Sequence, residues 1–234
     1  FALVERGGCS FEQINRVAAA AGAAMVIVTN NRDAGLYGTL DGMRPEYVPI
    51  TGVTRSEGDR LRQQLADGEV ALSFTFEQRI ESFETFNLFA ETRGGDGQEV
   101  VMAGAHLDSV PEGPGSNDNG SGSVVLLETA LQLAQLGAVP HNKVRFAWWS
   151  GEEWGLLGST HWVNGLVAAD PAVIDRLAAY VNVDMIASPN YVIGVYDGDG
   201  ATFPNEGLPT GSADLKKELV GWVRKEIGPI ATPD

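Results

Sequence analysis

The sequence predicts an α/β protein in which a mostly parallel central sheet, flanked by helices, is preceded by a smaller α/β unit. Short apolar runs alternate with amphipathic helical segments, the order that builds parallel sheets through crossover connections. This pattern breaks once, at residues 78–82. A chain of 234 residues with 44% hydrophobic content can also bury a core in each part. We therefore predict two domains, residues 1–80 and residues 81–234.

The first domain is predicted from strands bounded by turn residues and from helices with a 3.6-residue apolar period. Gly22 marks the end of the first helix. The predicted helices are residues 11–21 and 55–67, and the predicted strands are residues 1–5, 24–29, 48–53 and 70–76.

The second domain contains longer elements of the same kinds. Arg93-Gly94-Gly95-Asp96-Gly97 separates its first two strands and predicts a β-hairpin. The predicted strands are residues 86–91, 98–105, 143–149, 179–183 and 191–196, and the predicted helices are residues 124–136, 157–165, 171–177 and 213–227.

Charge and composition exclude several classes of partner. The chain has 16 basic and 31 acidic residues, a net charge of −15 and a pI near 4.5. Such a surface repels the phosphates of nucleic acids, so we expect no nucleic acid partner. No run of about 18 apolar residues is present, so we expect no membrane span. Cys9 is the only cysteine, so no disulfide can form within these residues.

Three apolar strands are each followed by residues of types that bind metals, and a fourth such residue lies in a tight loop before a helix. Because open α/β sheets bind ligands beyond the carboxyl ends of their strands, we expect these side chains to meet at one edge. They are His106 and Asp108 after residues 100–105, Glu152 and Glu153 after residues 144–149, Asp184 after residues 180–183, and Asp118 in the loop at residues 115–120.

One imidazole and several carboxylates suit zinc or a related divalent ion in an open catalytic site. Asp108 lies two residues from His106, so in an extended chain both side chains point the same way and its carboxylate could orient the ring. Glu152 and Glu153 point apart, so one can bind metal while the other takes a proton from a water molecule. Taken singly, the histidine could be an ordinary core or surface residue, and each acidic residue could be an ordinary turn residue.

Four segments resemble those of the M28 family of two-zinc aminopeptidases, and the resemblance covers residues 83–199. The family implies a zinc-exopeptidase-like fold that hydrolyses the N-terminal residue from peptides or proteins with a free N-terminus. By resemblance, His106 and Asp184 hold one zinc, Glu153 helps hold the other, Asp118 bridges them and Glu152 is the general base. The matching segments are Ala-His-Leu-Asp-Ser (105–109), Asn-Asp-Asn-Gly-Ser-Gly (117–122), Gly-Glu-Glu-Trp-Gly-Leu-Leu-Gly-Ser (151–159) and Asn-Val-Asp-Met-Ile (182–186).

Residues 2–11 and the alanine-rich helix after them resemble a protease-associated domain. In such domains a cysteine like Cys9 is often disulfide-bonded, so we expect this domain to be incomplete at its N-terminus. Proteins with this arrangement are usually exported, and the resemblance therefore implies a secreted, extracellular location.

The sequence departs from the M28 pattern at one ligand, because the family has a further histidine after the aspartate matched by Asp184. All three histidines, His106, His141 and His161, precede Asp184. We therefore expect a C-terminally incomplete peptidase domain with a weak second zinc site and impaired activity. His141 and His161 are interpreted as surface or packing residues.

Two other functions have weaker support in the sequence. A non-catalytic receptor or binding module could keep the same fold, and the absent histidine favours it whereas the intact ligands oppose it. A serine hydrolase is disfavoured because no Gly-x-Ser-x-Gly motif occurs.

The segment Asp197-Gly198-Asp199-Gly200 lacks the remaining oxygen ligands of a calcium loop and is interpreted as a turn.

Overall fold

The computed structural model describes residues 1–40, 42, 44–77, 82–204 and 207–228. The chain forms two compact units. The first comprises Phe1–Leu88 and Trp149–Ile174, and the second comprises Phe89–Trp148 and Asp175–Asp234. The predicted domain boundary between residues 80 and 81 lies outside the described residues.

The first unit contains a three-stranded parallel sheet in the order β1-β2-β3. The central strand β2 is buried along its whole length. The strands are β1 (Ala2–Glu5), β2 (Val26–Thr29) and β3 (Ile50–Val53), and the helices of this unit are α1 (Phe11–Ala20), α2 (Arg55–Asp67) and α4 (Leu157–Ala169).

Alternation along β2 explains how α1 and α2 pack on this sheet. Val26 and Val28 lie in one buried cluster with residues of α1. Ile27 lies in a different cluster with Leu61 of α2. Because successive side chains of a strand point to opposite faces, each helix covers its own face of β2.

The second unit contains a four-stranded sheet in the order β4-β6-β5-β7, with β5 and β7 parallel. A short 3-10 helix, Pro171–Arg176, precedes β7. The predicted α/β class, with parallel strands flanked by helices, is confirmed. The strands are β4 (Leu88–Glu91), β5 (Asp96–His106), β6 (Asn142–Trp149) and β7 (Leu177–Asn182), and the helices are α3 (Gly120–Gln135) and α5 (Ser212–Glu226).

The hairpin predicted between β4 and β5 is wrong, because β6 lies between these two strands. The glycine-rich link packs against the start of β6. Thr92 donates its backbone N–H to the carbonyl of Val144, 3.0 Å away, and Asp96 donates to His141 at 2.8 Å. A Cβ atom at Gly95 would approach the backbone of Lys143 to 2.6 Å. The link therefore crosses the end of an intervening strand.

Two further predicted strands are wrong, at residues 70–76 and 191–196, where the described chain is irregular. The large side chains of both segments are exposed and do not pack into a core. Phe74 and Phe76 are each 50% exposed, and Tyr191 and Tyr196 are 69% and 78% exposed. Alternation of side chains predicts a strand only where one face is buried against another element.

The core of the second unit lies between the sheet and α3. Ala105 of β5, Phe146 and Trp148 of β6, and Leu126 of α3 form one buried cluster. This packing fixes the carboxyl end of β5, where His106 follows Ala105 directly. Within the described residues, no helix is long and apolar enough to cross a membrane.

Candidate metal centre

His106 is the last residue of β5 and is only 2% exposed. Its Nδ1 atom lies 2.9 Å from the backbone carbonyl oxygen of Asp108. A carbonyl oxygen can only accept, so Nδ1 carries a hydrogen, and Nε2 is the ring atom that can bind a metal. A histidine that binds metal through Nε2 commonly donates its Nδ1–H to a carbonyl in this way.

Two carboxylates face the Nε2 atom of His106. Oδ1 of Asp118 lies 3.1 Å from it and Oδ1 of Asp184 lies 3.4 Å from it. Three lone-pair donors at these distances repel one another unless a proton or a metal cation lies among them. One imidazole nitrogen and two carboxylate oxygens are the donor set of an open zinc site, so the residues fit a divalent metal.

The strand register explains why Asp184 lies beside His106. In the parallel pair β5 and β7, Gly104 is aligned with Asn182. Val183 continues the pairing by donating its backbone N–H to the carbonyl of Gly104, 2.9 Å away. Each strand thus delivers a side chain two residues beyond an aligned pair, at the same edge of the sheet.

The electrostatics of Asp184 reflect this crowding. Burial raises the pKa of its carboxyl above the ordinary value, and the negative charge of Asp118 adds to the rise, whereas His106 opposes it. A bound cation would compensate the repulsion between the two carboxylates.

Asp108 contacts His106 mainly through its backbone. Its carbonyl oxygen is 2.9 Å from Nδ1, whereas its carboxylate Oδ1 is 3.6 Å from the same atom. The hydrogen bond to this carbonyl orients the imidazole ring. The orienting role of the Asp108 carboxylate stays a prediction.

Glu152 and Glu153 belong to the first unit, in the turn that follows β6, and both are partly buried. The backbone carbonyl of Glu152 accepts N–H groups from Gly155 and Leu156, each at 2.9 Å. Gly151 has φ 66°, a left-handed conformation that suits glycine. The backbone of this turn is thus held locally. The assignment of both glutamates to the metal centre stays a prediction.

Asn87 fixes both ends of the same turn, and nothing in the sequence signalled its role. Its Oδ1 accepts the backbone N–H of Ser150 at 3.1 Å, and its Nδ2 donates to the carbonyl of Gly158 at 2.9 Å. Ser150 and Gly158 are also joined directly, at 2.9 Å. The turn that carries the two glutamates is therefore closed at its base.

The other two histidines, His141 and His161, are exposed, in agreement with their interpretation as surface residues. Asp197 lies in a turn where its carboxylate accepts the backbone N–H groups of Thr202 and Phe203 and the ammonium of Lys216. That carboxylate stabilises the turn, as its sequence context suggests.

Comparison with known proteins identifies the family. The model of peptidase family M28 matches residues 87–219, and the model of the PA domain matches residues 1–61. The chain belongs to peptidase family M28. The two resemblances seen in the sequence are thus confirmed, and the M28 match contains His106, Asp118, Glu152, Glu153 and Asp184.

Several M28 relatives are similar over most of the chain. A probable leucine aminopeptidase 2 of Arthroderma benhamiae is 45% identical over 92% of this chain, which covers 42% of that protein. An aminopeptidase of Pseudomonas aeruginosa is 45% identical over 95% of this chain, which covers 41% of that protein. The chain therefore spans less than half the length of these relatives.

Solved structures agree with this assignment. An aminopeptidase from Aneurinibacillus sp. strain AM-1 superposes with a TM-score of 0.70 and 32% identity, covering 82% of this chain and 47% of that one. A zinc aminopeptidase from Bacillus subtilis gives a TM-score of 0.56 and 29% identity, covering 79% of this chain and 43% of that one. The fold of the chain is thus shared with solved aminopeptidases, one of which is described as a zinc enzyme.

Proposed function

We propose that this M28 chain carries the metal-binding part of a zinc aminopeptidase that removes the N-terminal residue from peptides. The observation that carries the proposal is the geometry at His106, whose Nε2 atom lies 3.1 and 3.4 Å from carboxylate oxygens of Asp118 and Asp184. The similarity to a zinc aminopeptidase from Bacillus subtilis supports zinc as the metal.

Two zinc ions fit the family pattern. His106 and Asp184 would hold one ion, Glu153 would help hold a second, and Asp118 would contribute its carboxylate to both. Bound zinc would polarise the scissile carbonyl and lower the pKa of a nearby water molecule. Because zinc binds neutral imidazole and ionised carboxylates, the tautomer fixed by Asp108 prepares His106 for this role.

The residues of the chain supply the proton transfers and the substrate contacts. Glu152 takes the proton of the attacking water and later delivers it to the leaving amine, so that one carboxylate acts first as base and then as acid. Carboxylates around the centre pair with the free ammonium group of the substrate. This pairing favours a peptide whose N-terminus is free and limits cleavage to its first residue.

Substrates and location follow from the same proposal. The partners are peptides or proteins with a free N-terminus, and relatives named leucine aminopeptidase make a leucine derivative the first substrate to test. The presence of a PA domain match beside the peptidase match supports a secreted, extracellular protein.

Hydrolysis of leucine p-nitroanilide in zinc buffer tests the activity, with N-acetyl-leucine p-nitroanilide as the blocked substrate. The free amine should be cleaved and the blocked one should not. The 234 residues contain no histidine after Asp184, so this chain is expected to turn over far more slowly than a chain of the relatives' length. Failure of the longer chain to cleave either compound would favour a non-catalytic binding module.

The Glu152→Gln variant tests the proposed base. It should lose turnover while its zinc content, measured by atomic emission, matches that of the unchanged protein. Loss of zinc in this variant would instead make Glu152 a ligand. A Glu77→Gln variant, which alters an exposed glutamate, is the matched control and should leave both quantities unchanged.

A further inference from the structure

Asp118 and Asp184 lie in two loops, outside any helix or strand. We call residues 115–119, before α3, the aspartate loop, and residues 183–188, after β7, the strand-exit loop. Regular backbone hydrogen bonding does not by itself set the separation of two such carboxylates. Their positions near the same atom of His106 therefore require other contacts.

Asn119 supplies a contact next to both aspartates. Its side chain is 1% exposed. Its Oδ1 accepts the backbone N–H of Gly122 at 3.0 Å and so caps α3. Its Nδ2 donates to the carbonyl of Val183 at 2.9 Å. One amide thus joins the residue after Asp118 to the residue before Asp184.

The contact leaves no room for adjustment at Gly122. A Cβ atom there would lie 2.4 Å from Oδ1 of Asn119 and 2.4 Å from the carbonyl oxygen of Val183. Only glycine permits this approach of the helix to the strand-exit loop. The two loops are therefore packed together at the point where Asn119 bonds them.

A second set of hydrogen bonds joins the strand-exit loop to the aspartate loop and to the first turn of α3. The Oγ atom of Ser121 accepts the backbone N–H of Ile186 at 3.1 Å and donates to the carbonyl of Asn117 at 2.7 Å. The Asn117 side chain accepts the N–H of Ala187 at 3.2 Å and donates to Ser188 Oγ at 2.9 Å. These bonds make the junction a network.

Met185, directly after Asp184, shows that the network constrains the backbone. It has φ 52°, a left-handed conformation that a residue other than glycine keeps only when its surroundings enforce it. The next two residues, Ile186 and Ala187, donate their backbone N–H groups to the side chains of Ser121 and Asn117.

We propose that Asn119 is a positioning residue of the metal centre, which holds the carboxylates of Asp118 and Asp184 at the spacing that a shared cation needs. This inference rests on the proposed function, because it takes both aspartates as metal ligands. Ligands held in place before binding lose less conformational entropy when the cation arrives, so Asn119 raises the affinity for metal.

Comparison of Asn119→Ser with Asn119→Ala separates this role from simple helix capping. Serine caps a helix about as well as asparagine but cannot reach the Val183 carbonyl, whereas alanine does neither. The dissociation constant for zinc, measured by competition with a chromophoric chelator, should rise at least about tenfold in both variants. Without zinc, the melting temperature should fall further in Asn119→Ala than in Asn119→Ser.

The outcomes distinguish this inference from the proposed function. If the unchanged protein binds zinc and Asn119→Ser binds it equally tightly, Asn119 is only a cap and the inference fails. If the unchanged protein binds no zinc, the metal centre and the inference fail together.

Ser121→Ala is a second test should the Asn119 variants not fold, because it removes part of the network and leaves the cap. It should also weaken zinc binding, and unchanged affinity would contradict the network. Ser56→Ala, which alters an exposed serine hydroxyl in the first unit, is the control and should bind zinc like the unchanged protein.

Discussion

Ser123 donates its hydroxyl hydrogen to the backbone carbonyl of His106, 2.7 Å away. The carbonyl of Ser123 in turn accepts the indole N–H of Trp148 at 3.1 Å. The first turn of α3 therefore joins the carboxyl ends of β5 and β6. Since Asp108 fixes the imidazole ring, His106 is held at both its backbone and its side chain.

Replacing Ser123 with alanine should lower the free energy of unfolding by about 1 kcal/mol, because it removes one hydrogen bond to a backbone carbonyl in a partly buried setting. Urea denaturation measures this change. Ser159→Ala is the matched control, since its hydroxyl donates to the carbonyl of Leu156 at an exposed position. A Ser123→Ala variant as stable as the unchanged protein would show that the bond to His106 contributes nothing.

His106→Ala should weaken zinc binding by more than the roughly 10–100-fold that loss of an outer hydrogen-bonding partner costs, because a ligand itself is lost. Titration with zinc against a chromophoric chelator measures this. His141→Ala, which removes an exposed histidine, should leave the affinity unchanged. Retention of tight zinc binding by His106→Ala would contradict the assignment of the centre.

Features with local causes could be predicted from the sequence. The predicted helix at residues 55–67 matches α2 residue for residue, because Thr54 and Glu57 form a capping box at its start and Gly68 follows its end. His106 and Asp184 could be predicted as neighbours because each follows an apolar strand, and parallel strands end at one edge of their sheet.

Features with long-range causes could not be predicted. The order of β4, β6 and β5 depends on β6, which begins 46 residues after β5 begins, so the local turn signal at Gly94-Gly95 was misleading. Asn119 could be interpreted as a helix cap from its own segment. Its bond to the Val183 carbonyl spans 64 residues, and no local pattern encodes it.

Leu126 and Leu127 are adjacent in α3 and differ mainly in burial, with 4% and 50% of their surfaces exposed. Leu126→Ala should lower the free energy of unfolding by about 2–5 kcal/mol, because it leaves a cavity beside Phe146 and Trp148. Leu127→Ala should cost less than about 1 kcal/mol. Urea denaturation of the two variants measures the difference, and similar losses would contradict the packing of α3 on the sheet.

Glu91 of β4 pairs with two cations on the neighbouring strand β6. Its Oε1 lies 2.6 Å from Nη2 of Arg145, and its Oε2 lies 3.5 Å from Nζ of Lys143. Burial alone would raise the pKa of the Glu91 carboxyl, but Arg145 and Lys143 outweigh burial and lower the pKa below its ordinary value. The ionised form therefore stabilises the folded chain.

The stability that Glu91 contributes should depend on pH. Because the folded pKa lies below the unfolded value of about 4.3, the contribution is complete above that value and is lost as the pH falls through the folded pKa. The Glu91 side chain is 36% exposed, so solvent screening keeps its contribution to the free energy of unfolding below about 1 kcal/mol. Urea denaturation should thus show Glu91→Gln less stable than the unchanged protein at neutral pH, with the difference shrinking in acid. The control Glu69→Gln, at an exposed glutamate, should show no such trend, and a difference for Glu91→Gln that is constant with pH would contradict the ion pair.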